Sequence, residues 1–404
     1  MVKGGFHLSY CTNIHPGETW EETFNNLKYH IPLIKQRLTP DGPFGIGLRL
    51  SNEASLELVK KEQLHEFRSW LVSHNCYVFT FNGFPYGGFH RQVVKDKVHH
   101  PDWTTTDRRD YTLRLFDILN ALLPKGIEID GGISTSPLSY KYWHSEDKIG
   151  EVMKTATLHM IEVAARLYQI KQKEGKLLHL DIEPEPDGLL ENTEDVIDFY
   201  RNWLIPLGKK IFIEEFNLSE EAAEAGLKEH IRICYDVCHF AVVYEKPQEI
   251  FSAFKTEGIK VGKIQLSAAL KVELAPHSEE RGEITKLLLP FVESTYLHQV
   301  VAQHTDRQLV SYQDLGIALD SLETAVAQEW RIHFHVPVFL PQYGQLASTQ
   351  QDILEVLDHV KKENITHHLE VETYTWEVLP EDVNLELTDS IIRELQWVVK
   401  NIDA

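Results

Sequence analysis

Residues 177–187, LLHLDIEPEPD, join a short apolar run to carboxylates and prolines. A few β-compatible apolar residues followed by an abrupt stop are typical of a buried parallel strand. The two prolines have no amide N–H for a further ladder hydrogen bond, so the strand ends before them. Asp181, Glu183 and Glu185 then lie at its carboxyl end, and the period of two puts Asp181 and Glu183 on one side. In α/β folds this end of a strand carries the chemistry.

Similar strand-like runs alternate with helix-like segments through eight units. Such alternation is typical of a parallel α/β fold, and eight units favour a closed (β/α)8 TIM barrel over an open sheet. The sequence has neither GxGxxG after its first strand nor GxxxxGK[ST], so a nucleotide-binding sheet is less favoured. The expected strands cover residues 5–10, 44–50, 76–81, 126–135, 177–183, 231–236, 259–267 and 366–373.

Residues 271–351 break this rhythm. They contain a polar, charged loop, a candidate hairpin of 296–302 with 308–312, and a further β-like run at 331–339. We expect them to form an insertion between the seventh and eighth βα units. Insertions into barrels usually lie on the carboxyl-end loops and shape the site there. Composition does not change along the chain and no internal repeat is visible, so residues 1–404 are predicted to form a single barrel domain.

Composition narrows the classes of function. The chain has 404 residues, 43% of them apolar and 25% charged, with a net charge of -21. That charge argues against nucleic acid as a partner, because phosphate contacts need clustered Lys and Arg. No apolar run is long enough for a membrane span, and the first residues lack the apolar core of a secretory signal, so a cytoplasmic location is expected. We expect a small, sugar-like metabolite as the partner and leave homo-oligomer formation open.

Ligand-type side chains follow four of the expected strands. Glu183 follows the fifth, Asp236 and His239 (DVCH) end the sixth, Gln265 ends the seventh and Glu372 ends the eighth. A barrel brings these ends to one rim, where several carboxylates repel one another unless a cation lies between them. A mixed shell of carboxylate, imidazole and amide suits Mn²⁺, Mg²⁺, Co²⁺ or Zn²⁺. The pattern therefore predicts a divalent-metal site.

Each of these residues also has a purely structural interpretation. Glu183 before proline fits a solvated loop residue, and Asp236 fits the N-cap of a helix. Glu370 and Glu372 share one strand face, so only one of them needs to reach a metal, and Glu372 is nearer the strand end. Gln265 alone is weak evidence for a ligand.

The remaining candidates are histidines and cysteines on strands. His333 and His335 share one face of a strand, a pattern that fits interior polar packing as well as a ligand or pocket role. His7 on the first strand is a similar case. Cys234 and Cys238 are interpreted as small buried apolar residues, because CxxxC lies at a strand-to-loop transition and no CxxC occurs.

In their order along the chain, the motifs LDIEP, YDVCH, KIQLS and LEVET resemble the xylose-isomerase-like TIM-barrel superfamily. That group includes sugar isomerases, ketose 3-epimerases and endonuclease IV-like enzymes. The resemblance covers most of the chain except the insertion. It implies a divalent-metal site, and in the epimerases two glutamates, here Glu183 and Glu372, also act as paired acid and base. The implied metal ligands are Glu183, Asp236, His239, Gln265 and Glu372.

One position departs from that family pattern. Gln265 stands where a metal-binding histidine is usual, and an amide oxygen is a weaker ligand for zinc-like ions. His335, in the insertion, is the candidate to replace the missing imidazole. The segments LSYCTNIHPGETW, HFHVPVF and ETYTW further resemble EboE-type metabolite traffic proteins. This narrower resemblance implies an operon-encoded cytoplasmic protein that handles or exports a precursor metabolite.

The resulting hypothesis is a metal-dependent, sugar isomerase- or epimerase-like enzyme acting on a small polyhydroxylated or carbonyl metabolite. Glu183 and Glu372 would carry an enediolate-type proton transfer. The alternative is a non-catalytic metabolite carrier, which the glutamine at 265 and the large insertion favour. Endonuclease IV-like DNA repair is disfavoured by the net charge of -21 and by the lack of a basic face. The predicted pocket residues are His7, Asn82, Tyr86, His333 and His335.

Overall fold

The computed structural model describes residues 1–88, 90, 93–124, 129–274, 278–324, 326–378 and 386–403. The start of the expected fourth strand, residues 126–128, and residues 275–277 and 325 of the expected insertion lie outside this range. The strands of the described residues are β1 (Val2–Lys3), β2 (Phe6–Tyr10), β3 (Phe44–Arg49), β4 (Cys76–Asn82), β5 (Gly131–Thr135), β6 (Leu178–Ile182), β7 (Ile231–Asp236), β8 (Val261–Leu266), β9 (Ala268–Glu273), β10 (Val300–His304), β11 (Leu309–Tyr312), β12 (Ala327–Val336), β13 (Gln342–Tyr343), β14 (Leu346–Ser348) and β15 (His368–Val371).

Eight parallel strands form a barrel, as the alternation predicted. The sheet order is β1-β2-β15-β8-β7-β6-β5-β4-β3, with only β1 antiparallel to its neighbour. A parallel bridge between Cys11 and Gly47 joins the two outer barrel strands. The strands are buried on both faces, as expected of a parallel sheet covered by helices.

Helices follow the barrel strands and cover their outer faces. Local sequence fixes several of their ends: α1 begins with a capping box between Thr19 and Glu22, and α5 ends at Gly175 with a φ of 71°, a left-handed conformation that favours glycine. None of the described helices is long and apolar enough to cross a membrane. The helices are α1 (Trp20–Leu38), α2 (Asn52–Leu58), α3 (Lys61–Ser73), α4 (Thr106–Leu122), α5 (Ile149–Glu174), α6 (Thr193–Phe199), α7 (Ile205–Phe216), α8 (Glu220–His230), α9 (Val237–Val242), α10 (Pro247–Glu257), α11 (Ser278–Leu288), α12 (Leu315–Ser321), α13 (Gln350–Lys362) and α14 (Leu387–Asp403).

A second, antiparallel sheet of six strands lies between β8 and α13 in the chain. Its order is β11-β10-β12-β9-β14-β13, and β10 with β11 forms the hairpin expected from the sequence. It begins one residue after β8, at Ala268. Contacts place it over the carboxyl end of the barrel: Gln299 donates a hydrogen bond to the carbonyl oxygen of Pro186, and the ring of His335 contacts the carbonyl oxygen of Glu372.

The barrel interior is polar. In its middle layer the Nζ of Lys263 lies 2.7 Å from Glu370, and both side chains are buried. Although burial lowers it, Glu370 raises the pKa of Lys263 above its usual range. A Cβ at Gly47 would lie 1.5 Å from the carboxylate of Glu370, so only glycine fits there.

Deeper in the barrel, His179 lies 2.6 Å from Asp181 and 3.3 Å from Asp130. Arg232 pairs with Asp130 at 3.0 Å. We call these layers the paired zone. Its members are Lys263, Glu370, His179, Asp181, Asp130, Arg232 and His368.

Candidate metal centre

Three buried carboxylates converge at the carboxyl end of the barrel. Glu183 follows β6, Asp236 ends β7 and Glu372 follows β15, and one oxygen of each lies within 4.8 Å of the other two. Burial first, then Glu372 and Asp236, raise the pKa of Glu183 well above its usual range. Burial first, then Asp236 and Glu370, raise the pKa of Glu372 in the same way. Among the described residues, none of the three carboxylates forms an ion pair with lysine or arginine, so a bound cation would relieve their repulsion.

Asp236 is both a helix cap and a member of this group. Its Oδ1 accepts hydrogen bonds from the backbone N–H of His239, at 3.1 Å, and from the hydroxyl of Ser267, at 2.6 Å. Its Oδ2 has no hydrogen-bond partner among the described residues and lies 3.9 Å from the Nε2 of His239. Burial raises the pKa of Asp236, but His239 and His335 outweigh burial and lower it. One oxygen therefore caps α9 while the other stays available to a ligand.

Two amides hold Glu372 in place. The Oε1 of Glu372 accepts hydrogen bonds from the side-chain N–H groups of Asn13, at 2.8 Å, and Asn82, at 2.7 Å. The amide orientation of Asn82 is fixed, because its Oδ1 accepts from the backbone N–H of Phe84. Glu370, two residues earlier, pairs with Lys263 instead. Glu372 is thus the glutamate of β15's end that reaches the site.

Three imidazoles face the carboxylates. The Nδ1 of His239 lies 2.9 Å from the carbonyl oxygen of Pro184, and the Nδ1 of His335 lies 3.0 Å from the carbonyl oxygen of Glu372. Carbonyl oxygens only accept, so each Nδ1 carries a proton, and in a neutral ring the Nε2 then keeps a lone pair. Within the described part of the chain, the Nε2 of His335 has no hydrogen-bond partner. Burial, the largest cause, lowers the pKa of His335 to about 4, which keeps the ring neutral and able to bind a metal.

Gln299 fixes the same tautomer in His333, with the proton on Nδ1. The Nε2 of Gln299 donates to the carbonyl oxygen of Pro186 at 3.0 Å, which turns its Oε1 toward the Nδ1 of His333, 2.8 Å away. The Nε2 of His333 is therefore a lone-pair donor, buried and without a hydrogen-bond partner. Burial first, then His239 and His335, lower the pKa of His333 well below its usual range.

Seven buried side chains thus offer metal-type donors in overlapping groups, and we call them the donor cluster. Each group has its donor atoms within 4.8 Å of one another. Cys238 also lies within this distance of His333 and His335, but burial raises the pKa of its thiol well above the usual range. The members of the donor cluster are Glu183, Glu185, Asp236, His239, His333, His335 and Glu372.

Gln265 is buried inside the barrel, in register with Asp236 and Glu370. Within the part of the chain that the structure describes, neither its amide nitrogen nor its amide oxygen has a hydrogen-bond partner. A buried amide without partners is costly. Gln265 is therefore an unsatisfied polar group beside Asp236 of the donor cluster.

A cavity of about 60 Å³ lies over the donor cluster. A buried water takes about 10–15 Å³ of such space, so the cavity holds about four to six waters or one small polar molecule. Its lining brings together several predicted residues with others that sequence reasoning missed. The lining includes Asn13, Asn82, Phe84, Lys95, His99, Glu183, Glu185, His239, Gln299, His333, Glu372 and Tyr374.

Two predicted pocket residues lie elsewhere, which corrects those predictions. His7 is near the start of β2, with its Nδ1 2.9 Å from the hydroxyl of Tyr77, and it lines a separate cavity of about 460 Å³ at the amino end of the barrel. Tyr86 lies four residues beyond β4 and packs on Tyr111 of α4, with ring centroids 5.0 Å apart. A position early in a strand lies at the amino end of the barrel, away from the carboxyl rim. The ring of Tyr86 packs against α4 and is not part of the cavity lining.

The missed residues have different origins. Glu185 stands in the EPEPD run and was placed at a strand end, but not as a ligand. Asn13 follows the first strand, so a strand-end search extended to amides would have found it. His99 lies in the chain between β4 and α4, and Gln299 immediately precedes β10 of the second sheet. Nothing local in the sequence indicates either residue.

No family model and no curated protein matches this chain. Several solved structures have a similar chain path. One is a xylose isomerase-like TIM-barrel protein from Mycobacterium smegmatis in complex with magnesium, which is 8% identical in sequence and has a TM-score of 0.49. The alignment covers 100% of this chain and 98% of that protein. A D-tagatose 3-epimerase-like protein has 8% identity, a TM-score of 0.49, and coverage of 98% and 97%. The IOLI protein with a zinc atom has 12% identity, a TM-score of 0.47, and coverage of 98% of both chains. At these sequence identities and TM-scores, the similarity to the solved structures is limited to the path of the chain.

Proposed function

We propose that this chain is a divalent-metal-dependent enzyme that moves a proton on a small polyhydroxylated or carbonyl metabolite, as sugar isomerases and epimerases do. One observation carries the proposal. Three buried carboxylates meet the imidazoles of His239, His333 and His335, and the buried Nε2 atoms of His333 and His335 have no hydrogen-bond partner among the described residues. Such a donor set is expensive to bury without a cation and is the usual shell of Mn²⁺, Mg²⁺, Co²⁺ or Zn²⁺.

The residues present fit such an ion. Glu183, Asp236 and Glu372 supply oxygens, and His335 supplies the imidazole that Gln265 cannot. His239 lies beside Asp236 and completes the shell. When bound, a divalent ion would polarise a substrate carbonyl and so favour loss of the neighbouring C–H proton.

Glu183 and Glu372 are the proposed acid and base. Burial and the neighbouring carboxylates raise the pKa of both carboxyls, and a carboxyl with a raised pKa can act as a general acid as well as a base. The two differ in their surroundings: Glu372 is held by the amides of Asn13 and Asn82, whereas the Oε2 of Glu183 has no hydrogen-bond partner among the residues that the structure describes. Glu372 therefore keeps a fixed position, and Glu183 is free to turn toward a substrate.

The cavity suits a small polar substrate. Its volume fits a molecule of about four to six waters, and Asn82, His99 and Lys95 add polar groups to its wall. We further propose, on the narrower resemblance to EboE-type metabolite traffic proteins, that the reaction belongs to a metabolite-handling or export pathway.

The test is solvent exchange followed by NMR in D₂O, with candidate sugars and protein loaded with Mn²⁺ or Co²⁺. We expect deuterium at the carbon next to the substrate carbonyl, and loss of this exchange by about 10²–10⁴-fold in Glu183→Gln and Glu372→Gln. Glu363→Gln, on an exposed surface pair with Lys255, is the matched control and keeps full exchange.

Two outcomes would contradict the proposal. Exchange that survives in both glutamine variants would remove the proposed acid and base. Sugar resonances that shift without any deuterium uptake in the wild-type protein would favour the carrier instead.

A further inference from the structure

Two members of the donor cluster, Glu185 and His333, take no part in the proposed ion site. Both are buried and line the cavity, and a carboxylate oxygen of Glu185 lies within 4.8 Å of a ring nitrogen of His333. The Oε1 of Glu185 and the Nε2 of His333 have no hydrogen-bond partner among the described residues. Buried polar atoms of native proteins are nearly always hydrogen-bonded, so these two atoms require an explanation of their own.

His99 joins this pair from the chain between β4 and α4. Its side chain is 1% exposed and lines the same cavity, and its Nε2 lies 2.8 Å from the Oε1 of Glu185. This contact lacks hydrogen-bond geometry, so the Oε1 of Glu185 stays unsatisfied, and within the described chain the buried Nδ1 of His99 has no hydrogen-bond partner either. Three aromatic rings surround His99, with centroids 5.4, 5.3 and 6.2 Å from its own: Phe84, Tyr140 and Trp143.

The three unsatisfied atoms mainly accept hydrogen bonds. A carboxylate oxygen accepts only. The Nε2 of His333 accepts as well, because the proton of the neutral ring is on Nδ1, beside Gln299. The Nδ1 of His99 accepts or donates according to its tautomer. A ligand that satisfies all three atoms must therefore bring hydrogen-bond donors, and we call His99, Glu185 and His333 the acceptor wall.

The chain just before β10 of the second sheet holds the acceptor wall in place. The backbone N–H of Lys95 donates to the carbonyl oxygen of Thr295 at 2.9 Å, which fixes the 3-10 turn Lys95–His99. Gln299 contacts the ring of His333 and donates to the carbonyl oxygen of Pro186, next to Glu185 in the chain. The three parts of the wall are thus positioned by one neighbouring segment before any ligand arrives.

Among the described lining residues, the cavity has no side chain with a free positive charge. Lys95 is the only lysine or arginine of that lining. Its Nζ lies 2.6 Å from Asp314 and donates to the carbonyl oxygen of Glu293 at 3.1 Å. Its charge is therefore already paired, and the carboxylates in the lining would repel an anionic group that lies away from the ion.

We propose that the acceptor wall binds the substrate hydroxyl groups that are remote from the reacting carbonyl, and so selects uncharged polyols over deoxy and phosphorylated analogues. This inference rests on the proposed function, in which the ion binds the carbonyl end. A vicinal diol suits the wall, because its two O–H groups can donate to two neighbouring side chains. A site built to bind a hydroxyl rejects the analogue that lacks it, because the buried acceptors then stay unpaired.

Isothermal titration calorimetry of the full chain, metal-free and loaded with Mg²⁺, tests the proposal with three four-carbon probes. Erythrulose carries a diol remote from its hydroxymethyl ketone, 1-hydroxybutan-2-one lacks that diol, and erythrulose 4-phosphate replaces one of its hydroxyls by an anion. We expect erythrulose to bind about 10–100-fold more tightly than either of the other two probes.

His99→Phe keeps a ring within the aromatic surroundings and removes the polar atoms. It should lower the preference for erythrulose over 1-hydroxybutan-2-one about tenfold. His100→Phe, at the exposed neighbour of His99, is the matched control and keeps the full preference. Far-UV circular dichroism reports folding. If His99→Phe does not fold, Glu185→Gln carries the test, because its amide has one acceptor oxygen instead of two.

The outcomes separate this proposal from the proposed function. An erythrulose preference that is unchanged in both His99→Phe and Glu185→Gln would overturn the acceptor wall, as would equal binding of the three probes or no binding of erythrulose. None of these results would remove the ion site. A wild-type chain that takes up no metal, yet keeps a preference that depends on His99, would overturn the proposed function and leave the acceptor wall standing.

Discussion

The paired zone and the donor cluster are both polar and buried inside the same barrel, yet they handle charge differently. In the paired zone Glu370 has Lys263 at 2.7 Å, and Asp130 has Arg232 at 3.0 Å. In the donor cluster, none of Glu183, Asp236 and Glu372 forms an ion pair with lysine or arginine among the described residues. Buried atoms without a hydrogen-bond partner occur in both regions, so the difference lies in the paired cations. Buried polarity alone therefore does not indicate a site, whereas buried carboxylates without a paired cation do.

The largest effect is expected from breaking the paired zone. Lys263→Met leaves Glu370 buried without its cation, and loss of one partner of a buried pair costs about 3–5 kcal/mol. Urea unfolding of the metal-free protein measures this loss. The double variant Lys263→Met/Glu370→Leu is the control, because removing both charges restores most of the stability. If the single variant loses less than about 1 kcal/mol in its free energy of unfolding, Lys263 and Glu370 do not form a buried ion pair.

Urea unfolding of a donor-cluster variant should show a gain in the free energy of unfolding, whereas the paired-zone variant shows a loss. Glu183→Gln removes one of three mutually repelling carboxylates, so the metal-free protein should gain about 1–3 kcal/mol in its free energy of unfolding. The variant should lose the stabilisation that Mn²⁺ gives the wild-type protein. Metal-free Glu183→Gln that unfolds at lower urea than wild type would show that the cluster is balanced without an ion.

The pH dependence of stability follows from the raised pKa values of Glu183 and Glu372. A carboxyl with a raised pKa in the folded state contributes stability that is fully present below its unfolded pKa and lost as pH rises through the folded pKa. The melting temperature of the metal-free protein should therefore fall as pH rises above about 4.5. Mn²⁺ should stabilise the protein more at pH 8 than at pH 6. If Mn²⁺ stabilises the protein equally at pH 6 and pH 8, the pKa values of Glu183 and Glu372 do not control the pH dependence.

A gain in stability of the same sign is expected at Glu394, outside the donor cluster. Burial raises the pKa of Glu394 to about 7, even though the Thr373 hydroxyl and the Val338 N–H donate to it. Glu394→Gln should gain about 1–3 kcal/mol at pH 8 and little at pH 5, without changing metal content. Thermal unfolding at the two pH values measures this difference, and a gain that is equal at both would exclude the titration of Glu394.

The smallest effect is expected at the amino end of the barrel. His7→Gln removes a ring that contacts the hydroxyl of Tyr77, so stability should fall by about 1 kcal/mol. Metal content should stay at the wild-type value in elemental analysis, because His7 lies outside the donor cluster. Loss of metal in this variant would show that the two ends of the barrel are coupled.

The sequence predicted those parts of the fold and site that depend on strand periodicity. Glu183, Asp236 and Glu372 follow from strand boundaries and from alternation along a strand. The prediction that Tyr86 lines the pocket was wrong because the chain beyond β4 is irregular and follows no period. Gln299 and His99 could not be found, since only tertiary packing of the second sheet and a long loop brings them to the cavity.

Asp236 shows that two interpretations of one residue need not compete. Sequence reasoning treated the helix cap and the metal ligand as alternatives. In the structure one oxygen caps α9, and the other stays without a hydrogen-bond partner. A carboxylate has two oxygens, so one aspartate can cap a helix with one oxygen and offer the other to a ligand.

The metal content of Asp236→Asn tests the central claim most directly. Asparagine still caps a helix, so the fold should survive, while the charged ligand is removed. After chelation and reloading with Mn²⁺, we expect at least one ion per wild-type chain, a loss of that ion in Asp236→Asn, and no change in Asp358→Asn, an exposed aspartate of α13. A wild-type chain that stays metal-free with Mn²⁺, Mg²⁺, Co²⁺ and Zn²⁺, or an Asp236→Asn variant that keeps its full complement, would contradict the claim.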